Sequence, residues 1–268
     1  MATFCLVHSS VQGPSGWTLL AAALEERWHR AIMPDLGDVD PDSGALAYAE
    51  VIADTVEKEM AGDETRLWLL AHSASGLFLP WVPRLIPELP ISGLVYLAAY
   101  VPLAGESLLS SLAADPGMFD PAWVGKDPMV DEVAREFLFH DCPESMLEWA
   151  LTTRRLMIAR RAMSEPLPTR VTTSPPVRYI ACRHDRTLTP RWMRAAARER
   201  LGVTAIEIDG GHCPPYRRPA IVGAPGAYAR PMVDRSSPRG SGPGAARRRL
   251  PIWARPRPAA QPADRGAD

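Results

Sequence analysis

The chain has 268 residues, 46% hydrophobic and 23% charged, which suits one sizeable core or one core with an inserted subdomain. Its formal net charge of −1 excludes a uniformly basic or acidic protein, no apolar run is long enough to span a bilayer, and no repeat of solenoid length recurs. The small net charge hides an asymmetry, because eleven Arg against three Asp from Arg217 onward (about +8) leave the preceding body near −9.

Short apolar runs alternate with longer amphipathic stretches, the pattern of βαβ units around a parallel sheet. Thr3–Val7 reads as a buried strand ending at His8. Trp17–Trp28 has helical spacing, with Leu19, Leu20, Ala23 and Leu24 on one side and Glu25, Glu26 and Arg27 on the other. Arg30–Met33 reads as a second strand stopping at Pro34, and Leu46–Met60 as a helix closed by Ala61-Gly62-Asp63. Arg66–Ala71 is the third expected strand. Gly76–Leu89 has helical character, but an interior proline costs roughly 3 kcal/mol. Pro80, Pro83 and Pro87 therefore predict a short or kinked element. Ile91–Ala98, Val177–Cys182 and Val203–Ile208 complete six parallel strands, with a helix over Pro190–Leu201.

Residues 101–175 lie between the fourth and fifth strands, with amphipathic stretches at Asp131–Phe139 and Pro143–Met157. A structureless loop of that length is uncommon. A small helical cap is expected instead, over the C-terminal edge of the sheet where open α/β sheets bind ligands. Its Phe119, Trp123, Phe137, Phe139, Trp149 and Met157 either line an apolar acyl or ring pocket or pack the cap onto the body. Phe119, Trp123 and Trp149 are taken as substrate contacts. The core is then residues 1–100 and 176–218. Residues 219–268, rich in Pro, Gly and Arg, bury too little apolar surface to order, so a disordered tail is expected. Arginine-rich arms can bind nucleic acid, but a solvated tail is the preferred reading.

A serine hydroxyl becomes a good nucleophile when a positioned base takes its proton. A strained strand–turn–helix elbow exposes such a serine, and it demands small residues two before and two after. Ala71-His72-Ser73-Ala74-Ser75 follows the apolar strand Leu67-Trp68-Leu69-Leu70 and meets that demand with Ser73 at the apex. Placing Ser75 there would put Leu77 at a small position, a poor fit. Of the six histidines, His212 follows the last strand on the flexible turn Asp209-Gly210-Gly211, where it can reach over the sheet edge. His8 and His72 read as structuring the neighbouring loops. Asp185 follows the preceding strand and is the orienting acid, with Asp209 as rival. The order Ser73, Asp185, His212 matches one of the known triad orders. The oxyanion donors are assigned to the backbone N–H groups of Ser10, after the first strand, and Ala74, after the nucleophile.

These residues resemble the α/β-hydrolase superfamily, and more closely its small-capped branch of plant methylesterases, hydroxynitrile lyases and bacterial relatives. The carriers are Leu6-Val7-His8-Ser9-Ser10, Met33-Pro34-Asp35-Leu36-Gly37, Ala71-His72-Ser73-Ala74-Ser75-Gly76, Asp185-Arg186-Thr187 and Gly210-Gly211-His212. The resemblance covers Thr3 to Pro219. In that branch, esterases carry glycine where Ser9 stands and lyases a threonine that touches substrate, so Ser9 implies a substrate contact. His72 and Cys213 match the esterases, because the lyases carry lysine where Cys213 stands. Ser73 argues against epoxide hydrolases and dehalogenases of this fold, which need aspartate. Family members close with an amphipathic helix soon after the histidine. No clear one follows here, as if a reading-frame change in a GC-rich gene had replaced the ending.

The expected activity is hydrolysis of a carboxylic ester or related acyl bond of a small or medium apolar substrate, through an acyl-enzyme on Ser73. A C–C lyase or cyclising enzyme on the same scaffold is the second reading, and a catalytically impaired ligand-binding protein the third. No metal or organic cofactor is needed. The scattered Cys5, Cys142, Cys182 and Cys213 and the missing leader point to free thiols in the cytoplasm. The expected partner is an ester-like small molecule rather than a membrane or nucleic acid, with homodimerisation left open.

Overall fold

The computed structural model describes residues 1–167 and 175–217. The expected tail, residues 219–268, and part of the insertion lie outside them. Six parallel strands form one sheet: β1 (Ala2–Val7), β2 (Arg30–Ile32), β3 (Arg66–His72), β4 (Ile91–Leu97), β5 (Val177–Cys182) and β6 (Ile206–Ile208), ordered β2-β1-β3-β4-β5-β6. The central strands are covered on both faces, which explains their unbroken apolar runs: Cys5, Leu6, Val7, Leu69, Leu70, Ala71, Leu94, Val95 and Leu97 are fully buried. The chain steps outward from β1 to β2 and then crosses back to β3. The strand order therefore reverses between β1 and β3, and the crevice for a ligand opens at their carboxyl ends. In register, Val7 lies beside Ala71, and Ala71 beside Tyr96.

Helices flank this sheet. α1 (Thr18–Glu25) follows a 3-10 turn at Pro14–Trp17, and α2 (Ala45–Glu59) buries Tyr48, Ala49, Ile52, Ala53 and Val56 along one stripe. The proline-rich stretch after β3 is a 3-10 turn (Ser73–Leu77) and then the four-residue α3 (Val82–Leu85). Pro83 sits in the first turn of α3, where no amide hydrogen is required. β6 is shorter than the apolar run Val203–Ile208, since an edge strand pairs on one side alone, here with β5 over three residues.

Between β4 and β5 come α4 (Leu108–Ala114), α5 (Asp131–Val133), α6 (Glu144–Thr152) and α7 (Arg160–Ser164). The stretch read as one amphipathic element over Asp131–Phe139 changes pitch midway: α5 runs into a π-turn over Ala134–Leu138, closed by the Phe139 N–H to the Ala134 carbonyl at 2.9 Å. After α6 the chain has no regular secondary structure as far as Ala159, before α7. α8 (Pro190–Arg200) links β5 and β6, with the Thr189 side chain capping its start and Arg198 and Arg200 in its last turn. A second apolar cluster joins Phe139, Leu147, Ala150 and Leu151 of the insertion to Val11 after β1 and to Cys213 and Tyr216 after β6. The insertion thus packs on the loops at the crevice.

Candidate active site

Ser73 is the first residue beyond β3 and has φ +56, a left-handed conformation that costs an ordinary residue about 1–2 kcal/mol. Its neighbours hold it there. The Tyr100 N–H donates to the Ser73 carbonyl at 3.0 Å, and the buried Ser75 hydroxyl donates to the His8 carbonyl at the end of β1. Gly76 backs onto the Tyr100 carbonyl so closely that a Cβ would stand 1.9 Å from its oxygen. Small residues in the elbow are therefore packing requirements.

His212 follows β6, and its imidazole is 3% exposed. Its Nδ1 lies 2.7 Å from Asp185 Oδ2, which fixes the proton on Nδ1. Nε2 is then an acceptor facing Ser73 Oγ at 3.0 Å. Asp185 Oδ1 accepts from the Thr187 amide (2.7 Å), the Thr187 hydroxyl (2.9 Å) and the Leu188 amide (3.1 Å), so the buried carboxylate is fully partnered. Thr187 Oγ1 also stands 2.8 Å from His212 Nδ1. Two contacts hold the histidine loop: His72 Nε2 donates to the His212 carbonyl (2.8 Å), and the Gly211 N–H donates to Asp141 Oδ2 (2.7 Å). Burial, reinforced by the neighbouring His212, holds the His72 pKa well below its usual value. His8 is also pushed down by burial; its Nδ1 donates to the Ser9 carbonyl and its Nε2 accepts the Leu36 N–H. Asp209, the rival acid, instead meets His184 Nε2 at 2.7 Å on the surface.

A cavity of about 180 Å³ opens onto Ser73 and His212, and Ser10 and Ala74 also border it. The Ala74 amide lies in the first turn of the 3-10 helix, among the donors that a helix start leaves without an in-helix acceptor. The rest of the lining is mainly apolar and includes Leu108, Phe119, Trp123, Leu138, Met163 and Leu188. Among the described residues no cluster of three or more His, Cys, Asp or Glu is arranged to hold a metal ion.

Of the expected substrate contacts, Phe119 and Trp123 border the cavity, while Ser9 and Trp149 do not. Ser9 is fully buried behind the turn, its hydroxyl donating to Gln12 Oε1 (3.2 Å) and accepting from the Val11 amide (3.3 Å). Trp149 stacks obliquely on Tyr216, with ring centroids 5.4 Å apart. Phe137, Phe139 and Met157 are buried in packing, outside the cavity lining. Asp141, Gln12, Thr153 and Tyr216 were not legible as site residues, because their partners are distant in sequence.

The profile of the alpha/beta hydrolase family matches residues 6–224, most of the chain. The chain belongs to that family. This α/β-hydrolase has a fold like that of methylesterase-like members. An extracellular α/β-hydrolase from a Paenibacillus species, described as sharing structural and functional homology with tobacco salicylic acid binding protein 2, has 18% identity and a TM-score of 0.68, over 86% of this chain and 100% of that one. A pyrethroid hydrolase from Sphingobium faniae has 22% identity and a TM-score of 0.64, over 83% and 94%. A methylesterase from Arabidopsis has 15% and 0.61, over 84% and 96%. At such identities the likeness is one of fold. No curated protein matches the sequence. Among the described residues no helix of this α/β-hydrolase is long and apolar enough to cross a membrane.

Proposed function

We propose that the protein is a serine hydrolase that cleaves carboxylic esters, or related acyl bonds, of small or medium apolar substrates. One observation carries this reading: the unbroken relay from Ser73 Oγ to His212 Nε2 (3.0 Å) and from His212 Nδ1 to Asp185 Oδ2 (2.7 Å). Ser73 Oγ attacks the substrate carbonyl carbon as His212 takes its proton. The Ser10 and Ala74 amides stabilise the oxyanion, and His212 returns the proton to the leaving alkoxide. Water then cleaves the acyl-enzyme by the same steps, with Asp185 orienting the imidazole and stabilising its charged form. The apolar cavity lining favours a neutral acyl group, with Phe119 and Trp123 beside it. The four free cysteines suit a reducing, cytoplasmic setting.

The lyase reading rested on Ser9 as a substrate-contacting hydroxyl. That hydroxyl is engaged behind the turn, outside the cavity lining, which leaves hydrolysis as the better-supported reaction. A panel of p-nitrophenyl esters graded from acetate to decanoate tests the proposal. Turnover is expected to be highest for the shorter acyl chains and to fall by roughly 10⁶-fold in kcat in Ser73→Ala. Ester turnover that survives Ser73→Ala would refute it.

A further inference from the structure

A buried chain of hydrogen bonds runs from the turn that holds Ser10 to the end of α6. The Val11 amide donates to Ser9 Oγ (3.3 Å), Gln12 Nε2 donates to Tyr216 Oη (2.8 Å), and the Thr153 hydroxyl donates to the Ala150 carbonyl (2.7 Å). An amide N–H can only donate and a carbonyl can only accept, so these three directions are fixed. They determine the other two. The Ser9 hydroxyl donates to Gln12 Oε1 (3.2 Å), and Thr153 Oγ1, its own proton committed, accepts from the Tyr216 hydroxyl (2.6 Å). Each of the three hydroxyls thus donates once and accepts once. Ser9, Gln12, Thr153 and Tyr216 are all at most 4% exposed, so water cannot replace a lost link.

The chain grips the oxyanion turn on both sides of Ser10, at Ser9 and Val11. The insertion holds the same turn through its backbone: the Met157 N–H donates to the Ser10 carbonyl (2.7 Å), and the Arg155 N–H to the Val11 carbonyl (3.3 Å). The direction of the Ser10 N–H follows from the plane of the Ser9–Ser10 peptide, whose Ser9 carbonyl accepts from His8 Nδ1 (2.9 Å) and from the Gln12 N–H (3.5 Å), while the contacts above hold Ser9 through its hydroxyl and hold the two peptides that follow. Tyr216 lies four residues after His212 and joins all three parts: the base loop, the oxyanion turn and the insertion. Its ring packs between Phe139 and Trp149, at centroid distances of 5.1 and 5.4 Å, and its hydroxyl is the link.

We infer that Tyr216 is a positioning residue for the oxyanion site, aiming the Ser10 amide through Gln12 and Ser9 and tying that amide to the insertion through Thr153. This rests on the serine-hydrolase reading above. Tyr216→Phe keeps the ring and cuts the chain. Thr153→Val cuts it at the far end with the tyrosine intact, and Thr153→Ser keeps the hydroxyl.

The test is the rate at which a fluorophosphonate labels Ser73. In that step the Ser73 Oγ–P bond forms, the P–F bond breaks with loss of fluoride, the serine proton passes to His212, and the P=O oxygen occupies the oxyanion site. Tyr216→Phe and Thr153→Val are expected to react about ten-fold or more slowly, since small misplacements of catalytic groups cost that much. On p-nitrophenyl acetate kcat should fall with KM within about two-fold, and Thr153→Ser should stay near the wild-type rate. The double variant should be little slower than either single one, because both cut the same chain. Variants that unfold cooperatively yet label at the wild-type rate would overturn the inference, as would a raised KM with unchanged kcat. If Tyr216→Phe fails to fold, Thr153→Val against Thr153→Ser decides alone. Wild-type protein that is not labelled would instead defeat the serine-hydrolase reading.

Discussion

Ser73, the proposed nucleophile, has a backbone conformation that ordinary residues avoid, at φ +56. The strain belongs to the backbone, so removing the hydroxyl leaves it in place, whereas removing the Cβ relieves it. Ser73→Gly is therefore expected to be more stable than Ser73→Ala by on the order of 1 kcal/mol in urea unfolding; equal midpoints would show that the elbow is unstrained. That Ser73, Asp185 and His212 could meet was legible because each follows an apolar strand in turn, and the structure places them within hydrogen-bond reach. Ser9, expected to contact substrate, lies outside the cavity lining for a physical reason. A hydroxyl after β1 can face the cavity or the rear of the turn, and Gln12, itself held by Tyr216, draws it to the rear.

The elbow as an element depends on close backbone approach. A methyl group at Gly76 would meet the Tyr100 carbonyl oxygen at 1.9 Å, and a backbone atom cannot swing aside as a side-chain tip can. Gly76→Ala is expected to destabilise the fold by about 1–3 kcal/mol and to slow Ser73 labelling together with it; a variant of wild-type stability and reactivity would contradict the packing described. Strands were legible wherever both faces are covered, since burial writes itself as an apolar run. The edge strand β6 and the α5-to-π transition were less so. Their extents depend on a missing neighbour and on the fit of Leu138 and Phe139 against other elements, neither of which appears in local spacing.

At the scale of the molecule, the insertion is joined to the loops after β1 and β6 by non-local contacts that no local pattern announces. Tyr216 meets Gln12 across 204 positions and Thr153 across 63. Burial also sets the pH range of the fold. His8 and His72 stay neutral inside, whereas in the unfolded chain they bind protons near their ordinary 6.5. The unfolded state therefore gains protons first as pH falls, and stability declines below about pH 6.5. Burial likewise keeps the Cys182 and Cys213 thiols protonated, whereas unfolded thiols ionise near 9.0, so stability declines again above about pH 9. Thermal unfolding from pH 5 to 10 should give a plateau flanked by two falls; a midpoint that is constant or rises on going from pH 7 to 5 would contradict the acid limb. The central claim, that Ser73 is the nucleophile of an ester hydrolase, is tested most directly by fluorophosphonate labelling read by peptide mass spectrometry. One adduct on Ser73, lost in His212→Ala and strongly slowed in Asp185→Asn, is the predicted result. Folded wild-type protein that hydrolyses esters without any adduct on Ser73, or with the adduct on another residue, would contradict it.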